Sequence, residues 1–132
     1  VSHTKGLLEA RVEVDGSPIR ILSAHLPAFR RFDVDPLEER FTHVRKAIAE
    51  AVLEDTTLPT LFCGDMNYPE MEKMVPEVFA AGFQNKLSGE PTTMSGRAID
   101  YVIASSEWKV GETGSVLKCG DHALCWVDLE LA

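Results

Sequence analysis

Strand-like segments of this chain are interrupted irregularly by two helix-like stretches, and this order restricts the fold more than any other feature. Alternating residues over 6–14 and an apolar run over 19–25 predict a β-hairpin around the turn at 15–18. The apolar side chains of 6–14 that share one face, and are expected to be half-buried, are Leu8, Ala10, Val12 and Val14. Further strands are predicted at 60–63, 98–104 and 123–131, with an edge strand at 115–118. This order predicts an α/β or α+β fold with a mixed sheet.

Two stretches have helical patterns. Asp35 is predicted to cap a helix that has Pro36 at its first position and acidic residues in its first turn. The stripe expected to be buried consists of Leu37, Phe41, Val44, Ile48, Ala51 and Val52. Residues 70–83 form the second stretch, in which Pro76 is expected to begin a new segment, since proline in a helix interior costs about 3 kcal/mol.

Composition narrows the classes of function. The 132 residues carry a formal net charge of −8, which argues against a broad nucleic-acid footprint built from Lys and Arg. Arg30 and Arg31, with Arg40, Arg45 and Lys46 downstream, are compatible with binding one anionic group, although a solvated surface is the favoured interpretation. No window approaches the roughly 18 apolar residues of a membrane span. Three cysteines without a paired or metal-binding spacing favour a reducing, cytoplasmic setting.

Polar side chains recur at or near the ends of the strand-like segments. They are His25 in SAHLP, Asp65 and Asn67 in GDMN, Asp100 in AIDYV, and Asp121 and His122 in CGDHA. Ends of adjacent strands converge on one rim of a sheet, where loops carry binding residues. Carboxylate and amide oxygens suit Mg²⁺ or Mn²⁺, so these segments together predict a metal site.

Each of these residues also has a structural interpretation. Asp65 and Asn67 after a glycine are typical of an Asx turn, and His25 is compatible with a hydrogen-bonded core histidine. Asp100 lies in an apolar strand and needs a partner there, for which His122 is the obvious candidate. His3 and His43 have no such context and are assigned to the surface or to packing.

In their order along the chain, SAHLP, GDMN, IDYV and GDHA resemble the carboxy-terminal half of the endonuclease/exonuclease/phosphatase (DNase I-like) superfamily. This group includes DNase I-like nucleases, abasic-site endonucleases, sphingomyelinases and inositol polyphosphate phosphatases. Met66 stands where these proteins usually have Phe, and Gly120 where they usually have Ser. The resemblance covers nearly the whole chain. It implies a mixed, mainly antiparallel sheet with helices on one face, half of a four-layer α/β sandwich, with 1–132 as a single domain.

The resemblance also implies a Mg²⁺- or Mn²⁺-dependent hydrolase and a role for each motif residue. Asp65 would orient or deprotonate the attacking water, and Asn67 would hydrogen-bond that water or the phosphate. His25 would contact the phosphate or assist the leaving group. Asp100 would pair with His122, which would stabilise charge on the phosphoryl oxygens. The metal ligands implied are Asp121, Asp65 and Asn67.

The superfamily's amino-terminal half supplies an Asn and a metal-binding Glu in a QE-like motif, and this chain matches neither. Glu9 and Glu13 lie in a different context. A lone half would expose an apolar sheet face, which predicts a homodimer or association with the missing half. Two functions therefore stay open: a phosphoesterase, or the carboxy-terminal part of one, and a non-catalytic interaction module. The acidic charge slightly favours a small phosphoester or phospholipid headgroup over duplex DNA as substrate.

Overall fold

The computed structural model describes residues 5–116 and 120–132. Its β-strands are β1 (Gly6–Val14), β2 (Ser17–His25), β3 (Thr60–Asp65), β4 (Gln84–Asn85), β5 (Asp100–Ala104), β6 (Trp108–Val116) and β7 (Leu124–Leu131). The α-helices are α1 (Thr42–Leu53), α2 (Met71–Met74) and α3 (Pro76–Ala80). Short 3₁₀ turns occupy Phe29–Phe32 and Glu39–Phe41.

Five strands form one sheet in the order β1-β2-β3-β5-β4, and β6 pairs with β7 in a separate two-stranded sheet. In the larger sheet only β2 and β3 run parallel. The fold is therefore the mixed α+β class with a mainly antiparallel sheet that was predicted. The hairpin of β1 and β2 turns on Asp15 and Gly16, which both have positive φ, as two-residue hairpin turns require.

One face of the larger sheet, here called the helix face, carries the main core. Leu22, Phe62 and Ile103 of its central strands are fully buried. They belong to one cluster with buried helical residues, which include Ile48, Val52, Met71, Met74 and Val78. The three helices therefore cover this face, as the resemblance implied.

The opposite face, here called the open face, is covered only in part. Ile19 and Ala104 pack with Trp108 of β6, and partly buried Leu129 and Leu131 of β7 join this small cluster. The apolar stripe of β1 lies on the open face, because Leu8 and Val12 are in register with Ser23 and Ile19 of β2. Leu8 is 72% exposed and Val12 39%, so most of the predicted burial of this stripe does not occur within the chain.

A buried arginine fastens α1 to the helix face. Arg20 is fully buried, and its guanidinium donates hydrogen bonds to the carbonyl oxygens of Ala51 and Val52 in the last turn of α1. The same group pairs with the Glu9 carboxylate at 2.8 Å. A cation at this position satisfies carbonyl groups that a helix leaves without partners at its carboxyl end. This anchor explains why the strand positions of Glu9 and Arg20 are charged although they face the helices.

The predicted start of the first long helix was wrong. The first long helix begins at Thr42 rather than at Pro36. Asp35 forms an Asx turn with the Leu37 amide, and Arg45 donates to the carbonyls of Pro36 and Glu38. The Glu38 carbonyl also accepts from the Phe41 amide, so this segment forms turns and a short 3₁₀ helix before α1 begins. The edge strand predicted at 115–118 is the end of β6, and its Leu117 and Lys118 lie outside the described residues.

The break predicted at Pro76 is found, with α2 and α3 on either side of Val75. Short β4 has no counterpart among the predicted strands. β3 extends two residues beyond the predicted segment and includes Gly64 and Asp65, so Asp65 ends the strand instead of following it.

Candidate functional site

Three neighbouring strands bring polar side chains to one level of the sheet. His25 of β2 is in register with Asp65 of β3, which is in register with Asp100 of β5. Residues in register share a face, so all three side chains lie on the open face, at the end of the sheet where β2 and β3 terminate. The Asp65 Oδ2 atom is 3.6 Å from His25 Nε2. Residues that are far apart in the sequence thus meet at one point.

Asp65 and Asn67 form the predicted Asx turn and also belong to this group. The Asn67 amide donates to Asp65 Oδ1 at 2.9 Å, and the Asn67 side chain donates to the Leu26 carbonyl at 2.8 Å. Asn67 has φ +51°, a left-handed conformation that Asn tolerates. The turn uses one oxygen of Asp65 and leaves Oδ2 facing the histidines. The structural and the functional interpretations of this motif are therefore compatible.

Gly64 permits the close approach of β2 and β3 beside the site. Its φ is +135°, and a Cβ atom there would lie 2.0 Å from the Ala24 carbonyl oxygen. Any other residue would force the two strands apart just before Asp65. This glycine therefore fixes the position of the Asp65 carboxylate relative to His25.

His122 joins the group from the segment that precedes β7. Its Nδ1 is hydrogen-bonded to Asp100 Oδ2 at 2.8 Å, and its Nε2 lies 3.7 Å from Asp65 Oδ2. The hydrogen bond to Asp100 raises the pKa of His122 above its ordinary value of 6.5, despite an opposing contribution from partial burial. The nearby Asp65 and Asp121 carboxylates act in the same direction as this hydrogen bond. The predicted Asp100–His122 pair is present, and it favours the imidazolium form.

A turn at 92–97 holds this pair in place. Thr93 forms an isolated bridge with His122, and the Ala123 amide donates to the Thr92 carbonyl at 2.7 Å. The Thr92 hydroxyl accepts hydrogen bonds from the amides of Ile99 and Asp100, both at 3.1 Å. Thr92 is thus a positioning residue that sequence reasoning missed. Its signal, a hydroxyl a few residues before a strand, is too common to single it out.

These side chains line an open cavity of about 760 Å³, together with Asp121 and Asn67. Asp65, Asp100 and His122 each offer one ligand atom, and these three atoms lie within 4.8 Å of one another. Asp121, which was expected to be a metal ligand, is exposed and lines the same cavity outside that group of three. The cluster nearest to a metal centre therefore contains Asp65 from the expected ligand set and adds Asp100 and His122.

Lys5 is a second residue that sequence reasoning missed. Its ammonium group lies 2.5 Å from His25 Nε2 and lines the same cavity. A lysine directly before a strand carries no signal in the sequence by which it could be found.

Several solved structures that this chain superposes on are endonuclease/exonuclease/phosphatase family proteins. The chain superposes on an endonuclease/exonuclease/phosphatase protein from Beutenbergia cavernae with a TM-score of 0.71 and 21% identity, covering 96% of this chain and 39% of that one. The catalytic domain of human Nocturnin, determined with bound sulfate, matches all of this chain and 55% of its own length, at 16% identity and a TM-score of 0.67.

A mannosyl-6-phosphatase from Bacteroides thetaiotaomicron matches 96% of this chain and 57% of its own, with 12% identity and a TM-score of 0.62. The chain has the endonuclease/exonuclease/phosphatase fold. The resemblance inferred from its motifs is confirmed at the level of the fold, and the chain spans about half the length of these structures.

No family model matches the sequence, and no curated protein does. None of the helices in the described ranges has the length and apolar character needed to cross a membrane.

Proposed function

We propose that this chain is the carboxy-terminal part of a metal-dependent phosphoesterase, which hydrolyses a phosphodiester or phosphomonoester with a metal-activated water. The observation that carries this proposal is the meeting of His25, Asp65 and Asp100 at one level of three strands, with His122 bonded to Asp100. Carboxylates for water activation and an imidazolium for phosphate charge are the groups that this reaction needs.

In this proposal Asp65 accepts a proton from the attacking water or orients it. Its Oδ2 is the oxygen that the Asx turn leaves available, and its side chain is 21% exposed, so water reaches it. The carboxamide oxygen of Asn67 accepts a hydrogen bond from that water, or the second N–H of its side chain donates to the phosphate, because the first N–H is bonded to the Leu26 carbonyl. The turn fixes both groups before substrate arrives, which reduces the cost of ordering them.

The two histidines act on the phosphate from different sides of Asp65. His122 donates from Nε2 to a phosphoryl oxygen, because Nδ1 is held by Asp100 and the raised pKa favours the protonated ring. His25 contacts the phosphate or assists the leaving group, with Lys5 supplying a second positive charge beside it. Charge on the equatorial oxygens of the transition state would be countered at two points.

The donor set suits a divalent hard cation. Asp65 and Asp100 offer carboxylate oxygens to Mg²⁺ or Mn²⁺, and Asn67 and Asp121 line the same cavity as further oxygen ligands. When bound, such an ion lowers the pKa of its water and offsets phosphate charge. His122 is the weaker candidate for a ligand, because a ring that favours protonation binds metal poorly.

Calorimetric titration with Mn²⁺, together with hydrolysis of bis(p-nitrophenyl) phosphate, tests the proposal. Asp65→Asn keeps the turn oxygen and removes the charge, so we expect turnover to fall at least about a hundredfold while the fold is retained. Asp128→Asn removes an exposed carboxylate on β7 and is the matched control. EDTA should abolish turnover, and added Mn²⁺ should restore it. Absence of both Mn²⁺ binding and turnover in the unmodified chain would contradict the proposal.

A non-catalytic interaction module is the second candidate, and the open face of the sheet favours it. The exposed stripe of Leu8, Val12 and Val14 is apolar, and the chain spans about half of the structures it matches. We propose that this face associates with a second copy or with an amino-terminal half on another chain, since soluble monomers rarely expose contiguous apolar patches. Light scattering that shows a stable, dilute monomer without affinity for the dye ANS would contradict association.

A reducing, cytoplasmic setting is part of the proposal. Cys63 and Cys125 are both free thiols, and partial burial raises the pKa of each. Thiols of that kind react slowly, which fits packing roles better than redox roles.

A further inference from the structure

Three arginines border the proposed site. Arg30 and Arg31 lie on the 3₁₀ turn after His25, and Arg97 ends the turn that positions His122. They are called the arginine cluster below. Within residues 5–116 and 120–132, the guanidinium groups of this cluster make no ion pair and no hydrogen bond.

The other four arginines of the chain are all engaged. Arg11 pairs with Asp55, Arg20 with Glu9 and Arg40 with Glu38. Arg45 donates to backbone carbonyls and to the Thr42 hydroxyl. Because the chain has a net charge of −8, carboxylates are abundant, yet among the described residues none pairs with the three guanidinium groups of the arginine cluster.

The arginine cluster shares its space with the proposed catalytic residues. A cavity of about 480 Å³ is lined by all three arginines and by Asn67, Asp121 and His122. Arg31, Asn67, Asp121 and His122 also line the cavity that contains Asp65 and Asp100, so the two cavities share a wall. Asp121 is an acidic group in the shared wall, and a third cavity that Arg30 and Arg97 line also contains Asp33, Asp35 and Glu38.

From this arrangement we infer that the site takes a small substrate with two phosphate groups, one held for cleavage at Asp65 and His122 and the other bound by the arginine cluster. Guanidinium groups bind phosphate oxygens in a bidentate way, and three of them suit one dianion. The cluster is local and the remainder of the chain is acidic, which favours a small bisphosphate over a long nucleic acid. This inference rests on the proposed function, because the first phosphate is the one that is hydrolysed.

Binding of two matched nucleotides tests it. Calorimetry compares thymidine 3′,5′-bisphosphate with thymidine 5′-monophosphate on the full chain, once with Mn²⁺ and once with EDTA. We expect the bisphosphate to bind at least about tenfold more tightly, since each charge-assisted hydrogen bond contributes strongly. Arg31→Gln combined with Arg97→Gln should reduce this advantage to less than about threefold. Arg40→Gln, which removes an arginine outside both cavities, should leave it unchanged.

Hydrolysis gives a second readout. Thymidine 5′-(p-nitrophenyl phosphate) and its 3′-phosphorylated form have the same leaving group, and the latter should have the lower KM at similar kcat. Equal affinity for the two nucleotides, or an advantage that survives the double substitution, would overturn the inference. So would a single-stranded oligonucleotide that displaces the bisphosphate at equal phosphate concentration. If turnover and Mn²⁺ binding were both absent, the proposed function would be contradicted. The nucleotide comparison in EDTA needs neither of them, so it would still test the arginine cluster.

Discussion

On the helix face of the five-stranded sheet, Leu22, Phe62 and Ile103 are fully buried, whereas on the open face Leu8 remains 72% exposed and Val12 39%. The buried residues lie on the central strands β2, β3 and β5, whereas the exposed ones lie on β1 at the edge of the same sheet. The open face also carries His25, Asp65 and Asp100 at one end. The helix face therefore stabilises the chain, and the open face carries what the chain presents to other molecules.

The apolar stripe of β1 lies on the open face and points away from the chain's own core. Glu9 and Arg11 of this strand lie on the helix face, opposite Leu22 and Arg20 of β2. An alternating strand normally turns its apolar side inward. Here the inward side is polar because Arg20 needs a carboxylate beside it. The apolar side of β1 is thus free for a partner.

The largest expected effect comes from removing a large side chain on the helix face. Phe62→Ala should lower the free energy of unfolding by about 3–5 kcal/mol, because the Phe62 ring is fully buried in the main core and its removal leaves a cavity. Urea denaturation followed by circular dichroism measures this change. Leu8→Ala on the open face is the control and should change the free energy by less than about 0.5 kcal/mol. Similar losses for both variants would contradict the distinction between the faces.

Arg20→Met should have the next largest effect on the helix face. The methionine keeps the aliphatic stem, but the carbonyls of Ala51 and Val52 lose their donor and Glu9 loses its cation. Buried groups without partners cost about 1–3 kcal/mol, which denaturant unfolding would detect. Hydrogen exchange should increase first in the last turn of α1. Arg11→Met, at an exposed ion pair, should leave both measurements nearly unchanged.

Elements with strong local signals could be predicted from the sequence. The hairpin of β1 and β2 and the break at Pro76 follow from periodicity or from turn residues, whereas β3 runs two residues past its predicted end. β6 could not be predicted in full, because its sequence, WKVGETGSV, contains two glycines and four charged or hydroxyl-bearing side chains among its few apolar residues. It is held as a strand by its pairing with β7, which is a tertiary effect.

The candidate site also has parts that could be predicted from the sequence and parts that could not. Motifs within one segment, such as the turn of Asp65 and Asn67, could be predicted because their geometry is local. The level that His25, Asp65 and Asp100 share depends on strand register, which no single segment encodes. Lys5 and the arginine cluster reach the site only through loops and strand ends. For the same reason, the alternation in β1 identified an apolar stripe but not the face on which it lies.

Substitution of Asp100, at the charged end of the open face, should have a smaller effect on stability and should change the pKa of His122. Asp100→Asn removes the main cause of the raised pKa of His122, so this pKa should fall towards 6.5. Because the folded pKa is raised, the pair stabilises the chain fully below about pH 6.5, and this contribution is lost as the pH rises through the folded pKa. His122 is about one-third exposed, so the contribution should stay below about 1 kcal/mol.

Nuclear magnetic resonance of the histidine rings in EDTA measures the pKa change. The resonances of His43, which lies on α1 away from the site, provide an internal reference that the substitution should not alter. An unchanged pKa of His122 in the Asp100→Asn variant would show that the hydrogen bond to Asp100 does not govern the ring.

Substitutions in the apolar stripe of β1 should have the smallest effect on folding. They test whether the open face is an association surface. Leu8→Ser combined with Val12→Ser should change the free energy of unfolding by less than about 0.5 kcal/mol per site, because both side chains are already exposed. If the face is an association surface, the same variant should shift the mass measured by light scattering to that of a monomer and lower ANS binding. Phe32→Ser removes an equally exposed apolar ring from the loop after His25, and it should leave the mass unchanged. A shift with both variants would mean that general hydrophobicity, not this face of the sheet, drives the association.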